Sequence, residues 1–439
     1  MVKTRVTLCS VIAAVAIFSG TAGAESFTFW HGATGKLGDA LQLMCDEYNN
    51  SQNVNTVNCV GQGGNEILMQ KAIASFRTKT NPELILGYDA GTLDLMLSGA
   101  IIPAEELEGG PGGNKDYIRS IRAYYEGRNG KLFAQPFNAS TLLLFSNMEQ
   151  LKAAGVQTPP QTWEEFQTAA QKIKDAGHRC PFVTDGHSWR FLEEYSAVAG
   201  EPVASEGNGY ESLNARYIFE KTSHPRMMRD LVEWRKKGLV KLNADTRAGN
   251  YTAAFSSGEC AMMLNSSAAY GQVHLALKDK TQVQVSMMPV YEGVQRHNTT
   301  VGGGALWVMK GHSSEKYTAV ADFLNYVIKP ETQYKYIKRT GYLPVTQAGY
   351  DYILNSEDAS SPEFATVKIS IDSLNQPSTK DTRGIRLGFF TQFRQAWAEE
   401  MQKVYTGSQT VEQALENARK KGDNLLIRFS QTYKAQELP

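Results

Sequence analysis

Along this chain the apolar residues alternate between short continuous runs and a spacing of three to four, the mark of strands interleaved with helices. Residues 26–30 (SFTFW) predict a first strand, after which Leu37, Leu41, Met44, Cys45 and Tyr48 recur at helical spacing. Leu68, Ala72 and Phe76 repeat the helical pattern, and residues 84–88 predict the next buried strand. Thr162 and Glu165 form a capping box ahead of Trp163, Phe166, Ala170 and Ile173, which share one helix face, and Gly177 is placed to close that helix. Val320, Phe323, Leu324 and Val327 mark another amphipathic helix, with Pro330 as its stop. From about residue 390 to 429 two helices are expected, separated by Thr406-Gly407-Ser408, the second opened by a Thr410/Gln413 capping box. This alternation predicts the α/β class.

A chain of 439 residues is too long for one ordinary core, so two domains are expected. There is no internal repeat and no low-complexity linker. The Gly/Pro-rich residues 108–114 (EGGPGGN) read as a surface turn. Two lobes without a linker must be joined by strands that cross between them, an arrangement suited to a hinged cleft.

The first 24 residues change the picture of where the chain works. Lys3 and Arg5 precede an apolar run, residues 11–18, and Ala22-Gly23-Ala24 forms a small-residue cleavage site, so a secretory signal over residues 1–24 is expected. The run is too short to span a bilayer, and Cys9 lies before it, badly placed for a lipid anchor. No later segment is long and apolar enough to cross a membrane, so the expected mature protein is exported and soluble. Loss of Lys3 and Arg5 leaves 43 basic against 45 acidic residues, a formal charge of −2. That gives no electrostatic footprint for nucleic acid or an anionic membrane. Four cysteines remain, Cys45, Cys59, Cys180 and Cys260. An even number in an oxidising compartment favours Cys45–Cys59 and Cys180–Cys260 disulfides, with buried free thiols as the alternative. No pair has the spacing of a zinc site.

Enzymatic signatures are missing. There is no G-x-S-x-G elbow and no H-E-x-x-H, and residues 32–36 (GATGK) have the wrong glycine spacing for a phosphate-binding loop, with Leu37 where Ser or Thr is needed. The seven histidines, His31, His178, His187, His224, His274, His297 and His312, are scattered and read as surface or loop residues. No catalytic residue, metal site or cofactor is expected. Several polar positions suit ligand binding better. Ser266 and Ser267 follow an apolar strand and open a helix, where free N–H groups and hydroxyls either bind an anion or simply cap. Gly302-Gly303-Gly304 either let a backbone amide approach a ligand or mark a strand bulge. Tyr342 lies in a turn, and Trp189 in a polar loop. Arg394, among Phe389, Phe390, Phe393 and Trp397, is either a buried anion clamp or a snorkelling surface residue.

Taken in order, residues 29–32 (FWHG), 74–78 (ASFRT), 135–141 (QPFNAST), 256–263 (SSGECAMM), 302–309 (GGGALWVM), 339–346 (RTGYLPVT), 384–388 (GIRLG) and 392–394 (QFR) resemble the periplasmic sn-glycerol-3-phosphate-binding proteins, the receptors of an ATP-binding-cassette importer. The resemblance runs over nearly the whole mature chain. It implies a two-lobed α/β fold of the type II periplasmic-binding class, with residues 25–137 plus 300–345 as one lobe and 138–299 plus 346–439 as the other. It implies a phosphate held by Ser266, Gly303, Tyr342 and Arg394. The glycerol or headgroup side falls to Asn65, Asp89, Ser140 and Trp189. Here the family pattern is altered: Asp89 stands for a glutamate, Asn65 for a tyrosine and Gly186 for a tryptophan. That leaves both glycerol-3-phosphate and a glycerophosphodiester such as glycerophosphocholine as ligands.

The mechanism implied is capture by cleft closure and delivery to an inner-membrane permease complex by a monomer that binds neither nucleic acid nor ATP. Two other readings compete. An exported hydrolase of phosphodiesters or glycosides needs a nucleophile, a metal or paired carboxylates that cannot be assembled from these residues. An oligosaccharide receptor of the same fold would carry aromatic stacking surfaces and no anion clamp.

Overall fold

A computed structural model describes residues 25–277 and 282–439. The secretory signal expected over residues 1–24, with Cys9, lies outside the described residues. The strands form two sheets. In the first, β1 (Glu25–His31) lies between β2 (Asn55–Gly61) and β3 (Leu84–Tyr88), parallel to both. β11 (Gly302–Met309) runs antiparallel to β3, to the short β4 (Ile101–Ile102) and to β5 (Gln135–Ser140). In the second, β6 (Leu142–Asn147) pairs antiparallel with β9 (Met262–Ser266) and β10 (Val283–Met287), while β7 (Phe182–Thr184) runs parallel to β8 (Val240–Leu242) and β9. Strands covered on both faces should read as apolar runs, and every residue of β3 and β6 is buried.

Helices cover each sheet with their apolar faces. Over the first lie α1 (Gly35–Ser51), α2 (Asn65–Thr78) and, from far along the chain, a helix at Ser314–Val327 whose Phe323 ring meets Phe27 and Phe29 of β1, both at 5.9 Å. Over the second lie α3 (Trp163–Asp175) and α4 (His224–Lys236), where Phe166 packs at 5.0 Å against both Phe182 and Trp234. Burial of each such ring contributes roughly 1.5–3 kcal/mol. The Thr162/Glu165 capping box forms as expected, and Gly177 just past α3 has φ +92°. The two C-terminal helices are α5 (Phe390–Tyr405) and α6 (Val411–Thr432), and the Thr410/Gln413 box opens the second.

Three local expectations need correction. Pro330 is the first residue of a new helix, Pro330–Thr340, as well as the stop of the one before it. A proline costs nothing at that position, where its missing N–H has no intrahelical partner. Residues 108–114 are not a plain surface turn. Pro111 and Gly112 are buried in a short 3-10 turn, and a Cβ on Gly112 would lie 2.1 Å from the Ala104 carbonyl oxygen. The histidines divide. His31, at the end of β1, and His224, the first residue of α4, are buried, and burial drives His224 down to about 3.

Only Thr141 separates β5 in the first sheet from β6 in the second, so the chain passes from one to the other within a single residue. The return passage, through Thr299 and Thr300 into β11, runs alongside. Thr141 Oγ1 donates to Thr299 Oγ1 at 2.5 Å, and the Thr299 and Ser373 hydroxyls are 3.0 Å apart. Two buried threonines therefore tie together the chains that join the sheets.

Both disulfides are present, Cys45–Cys59 between α1 and β2, and Cys180–Cys260 beside β7 and β9. Buried free thiols are thereby ruled out. The second closes a separation of 80 residues and the first one of 14. Chain entropy then assigns the longer loop roughly 1.5 kcal/mol more of the stabilisation. We expect Cys180→Ala with Cys260→Ala to lower the unfolding free energy by about 2–4 kcal/mol. Removal of Cys45 and Cys59 should cost less in the same urea titration. An equal or reversed ranking would contradict the loop-length account.

Candidate functional site

The ends of the strands and helices meet at a cavity of ≈ 270 Å³. All eight residues expected at the ligand line it: Asn65, Asp89, Ser140, Trp189, Ser266, Gly303, Tyr342 and Arg394. They come from eight separate stretches of chain. Asn65 is the first residue of α2, Asp89 opens a 3-10 turn directly after β3, Ser140 ends β5, and Gly303 lies in β11. Ser266 ends β9 on the second sheet, and Arg394 is on α5.

Arg394 is largely buried, its side chain 11% exposed, and committed. Its Nη2 donates to Asp89 Oδ2 at 2.7 Å and to Glu193 Oε2 at 2.7 Å, and its Nε donates to Glu193 Oε1 at 2.9 Å. The snorkelling alternative is excluded. Burial opposes the charge, but Asp89 and Glu193 outweigh it and hold the guanidinium well above its usual range. Burial pushes the Glu193 carboxyl up, against the pull of Arg394 and of a 2.9 Å bond from the Ser188 hydroxyl.

Around this cluster, other side chains are placed by unusual backbone. Trp189 stands on a π-helical turn, Trp189–Glu194, rather than in the loop expected. Such turns are rare and gather at functional sites. The turn also presents Arg190, whose Nη1 bonds both oxygens of Asp185 at 2.9 Å and whose Nε bonds the Leu264 carbonyl at 2.9 Å. Gly302 has no side chain because the Trp189 ring would lie 2.9 Å from its Cβ. Gly303 is held at φ +107°, with the Asn138 carbonyl oxygen only 1.8 Å from where a Cβ would be. No other residue fits there. A register shift between Gly304 and Ala305 also makes this a bulge, so the bend and the open backbone are one feature.

The hydroxyl groups are partly engaged. Ser266 Oγ accepts from the Ala268 N–H at 3.2 Å, the simple cap foreseen as an alternative. Tyr342 stacks on Tyr336 with 9° between rings, and burial raises its hydroxyl to about 12, so it stays a neutral donor.

Tyr88, Asp185, His187 and Arg190 also line the cavity and were not foreseen. His187 corrects the surface reading given to the histidines. Its Nδ1 accepts from the Trp189 N–H at 3.0 Å, and burial, then the Arg394 charge, lower it to about 4. The ring is neutral at physiological pH, with its proton on Nε2. The Asp185–Arg190 pair joins the loop after β7 to the π turn, so neither periodicity nor motif signals it.

Glu194, the last residue of that turn, is fully buried, and its carboxylate accepts from the Thr300 N–H at 3.0 Å and the Thr300 hydroxyl at 2.6 Å. The turn that carries Trp189 is thereby bonded to the crossing chain. Burial pushes Glu194 up to about 8 from its ordinary 4.5, with Thr300 opposing. Between those values the folded protein keeps a proton that the unfolded chain has lost. Raising the pH through that window therefore favours unfolding. We expect Glu194→Gln to flatten the decline in urea midpoint between about pH 6.5 and about pH 8.5, above where His187 and His224 titrate. An unchanged decline would remove Glu194 as its source.

A family model described as bacterial extracellular solute-binding protein matches residues 44–366. The chain is 34% identical over 444 residues to the sn-glycerol-3-phosphate-binding periplasmic protein of Yersinia pseudotuberculosis, with 98% of each chain covered. It is 32% identical to that of Salmonella typhimurium, covering 99% of this chain and 100% of the relative. Among solved structures, the GacH receptor of Streptomyces glaucescens matches with a TM-score of 0.76 at 21% identity, covering 92% and 98%. UgpB of Mycobacterium tuberculosis, in complex with glycerophosphocholine, matches with a TM-score of 0.75 at 19% identity, covering 93% and 100%. Both have the same two-lobed α/β fold.

Proposed function

The chain belongs to the bacterial extracellular solute-binding proteins, as the substrate-binding component of an ATP-binding-cassette importer, and we propose that its cleft captures sn-glycerol-3-phosphate or a glycerophosphodiester such as glycerophosphocholine. The observation that carries this reading is the convergence of Arg394, Gly303, Tyr342 and Ser266, from four distant segments, on one cavity. A guanidinium, an open backbone and two hydroxyls are the donors that a buried phosphate needs. Capture rather than catalysis fits the same wall. Two of its three carboxylates, Asp89 and Asp185, are engaged by arginines, and among the described residues no group of three His, Cys, Asp or Glu could hold a metal ion.

The phosphate enters by exchange. Asp89 follows β3 of the first sheet, while Arg394 and Glu193 belong to elements packed with the second. A ligand phosphate takes the place of Asp89 on Arg394 while Glu193 keeps the guanidinium oriented. Asp89 is then released to accept from the glycerol hydroxyls. Elsewhere on the wall Trp189 offers a ring and Glu66 a carboxylate outside any ion pair among the described residues, which suits a cationic headgroup. The relatives named for sn-glycerol-3-phosphate are periplasmic, and among the described residues no helix is long and apolar enough to cross a membrane. On this reading the mature chain, freed of residues 1–24, is a periplasmic monomer that delivers its ligand to the permease.

Calorimetric titration of the mature protein with glycerol-3-phosphate, glycerophosphocholine, maltose and inorganic phosphate tests the proposal. We expect tight binding of a glycerophosphate ligand, weakened roughly 100-fold or more by Arg394→Ala, because truncation leaves Asp89 and Glu193 unpaired beside the phosphate. Maltose binding unaffected by Arg394→Ala would instead support the oligosaccharide reading.

A further inference from the structure

A second cavity, of ≈ 410 Å³, shares no residue with the cleft. Four arginines line it, Arg119, Arg128, Arg383 and Arg386, against two acids, Glu126 and Glu211. Its lining therefore carries a formal charge of +2. The cleft lining carries −1, from Arg190 and Arg394 against Glu66, Asp89 and Asp185. Glu126 is already engaged by Arg119 and Arg122. Arg128, Arg383 and Arg386 form no ion pair among the described residues, and Glu211 attracts Arg383 only from beyond contact distance.

Arg383 and Arg386 both lie over the Tyr210 ring, with their guanidinium carbons 3.9 and 4.1 Å from its centre. Two like charges on one ring repel, and burial together with the Arg386 charge holds Arg383 below the usual arginine range. Arg386 is only 3% exposed. Its Nη2 donates to the Tyr124 carbonyl at 2.9 Å, and its Nε, though buried, has no partner. A pair of like charges opposed only by Glu211 and Asp381 from beyond contact distance is costly, and an anion between the two guanidiniums relieves it.

We propose that this cavity is an anion site, in which a small oxyanion bearing a phosphate or carboxylate group binds between the Arg383 and Arg386 guanidiniums. Planar forks of this kind match either group in bidentate geometry. The site lies at a seam. Arg386 bonds the Tyr124 carbonyl, and the Tyr124 hydroxyl donates to the Ile385 carbonyl at 3.4 Å, so a segment following β4 meets one preceding α5.

The test is calorimetric titration of inorganic phosphate and of citrate into the parent, Arg394→Ala, Arg383→Gln and Arg386→Lys proteins. We expect at least one of the two anions to bind the parent and Arg394→Ala alike, and to bind Arg383→Gln and Arg386→Lys at least about tenfold more weakly. Phosphate alone, citrate alone, or competition between them identifies the preferred group. Arg383 is exposed, so Arg383→Gln keeps the test valid even if Arg386→Lys misfolds. No binding of either anion, or equal binding in the parent and Arg383→Gln, overturns the proposal.

Discussion

The arrangement of the cleft depends on one largely buried guanidinium. Arg394 gives up its hydration, and two carboxylates from different parts of the chain replace it. Neither carboxylate could be buried alone at tolerable cost. Each group is therefore stable only while the others are in place, and that mutual need fixes the 3-10 turn after β3, the π turn at Trp189 and the start of α5 relative to one another. The remaining cavity walls follow from those three elements. Gly302 must be small because Trp189 is held against it, and Gly303 must be glycine because β11 bulges over the Asn138 carbonyl.

The same turn links the cleft to the joint between the sheets. Glu193 holds Arg394, and its neighbour Glu194 holds Thr300 in the crossing chain, which is itself tied through Thr299 to Thr141. Successive residues of a helical turn point to different sides of its axis, so two neighbouring glutamates of the π turn serve two different tasks, one polar contact at the cleft and one at the joint. The π turn thereby connects the Arg394 cluster to the chains that join the two sheets.

Much of the fold could be read from the chain because local signals agree there. Capping boxes at Thr162 and Thr410, the continuous apolar run of β3 and the helical face of Trp163, Phe166 and Ile173 each state their element independently of the rest. The eight cavity residues came from resemblance together with residue chemistry; local sequence alone favoured a cap at Ser266 and left a bulge open at Gly303, and both are in fact realised. What escaped were features with no local signature. The π turn has no distinctive composition, so Arg190, Glu193 and Glu194 carried no signal. The burial of His31 and His224 depends on which helices and strands arrive from elsewhere, and nothing adjacent in sequence announces it. Pro330 illustrates the limit from the other side, since the same ring that stops one helix is the ideal first residue of the next.

The acidic lining of the cleft, set against a ligand that is itself an anion, makes sense once binding is treated as exchange. Adding a phosphate beside Asp89 and Glu193 without removing either would place three negative groups around one guanidinium, and Coulomb repulsion in a buried site would dominate. Replacing Asp89 keeps the number of anionic groups bonded to Arg394 constant. The desolvation of the arginine, already met in the unliganded protein, is not charged a second time. On the proposed exchange, affinity is set by the difference between two partners for the same donor: a carboxylate that must lose its ion pair but gains hydroxyl donors, and a phosphate that gains the guanidinium together with the donors around Gly303 and Tyr342. A binding site built on such a difference can release its ligand, because a protein carboxylate waits to take the vacated place, and a receptor that hands its cargo onward needs that return path as much as it needs the capture.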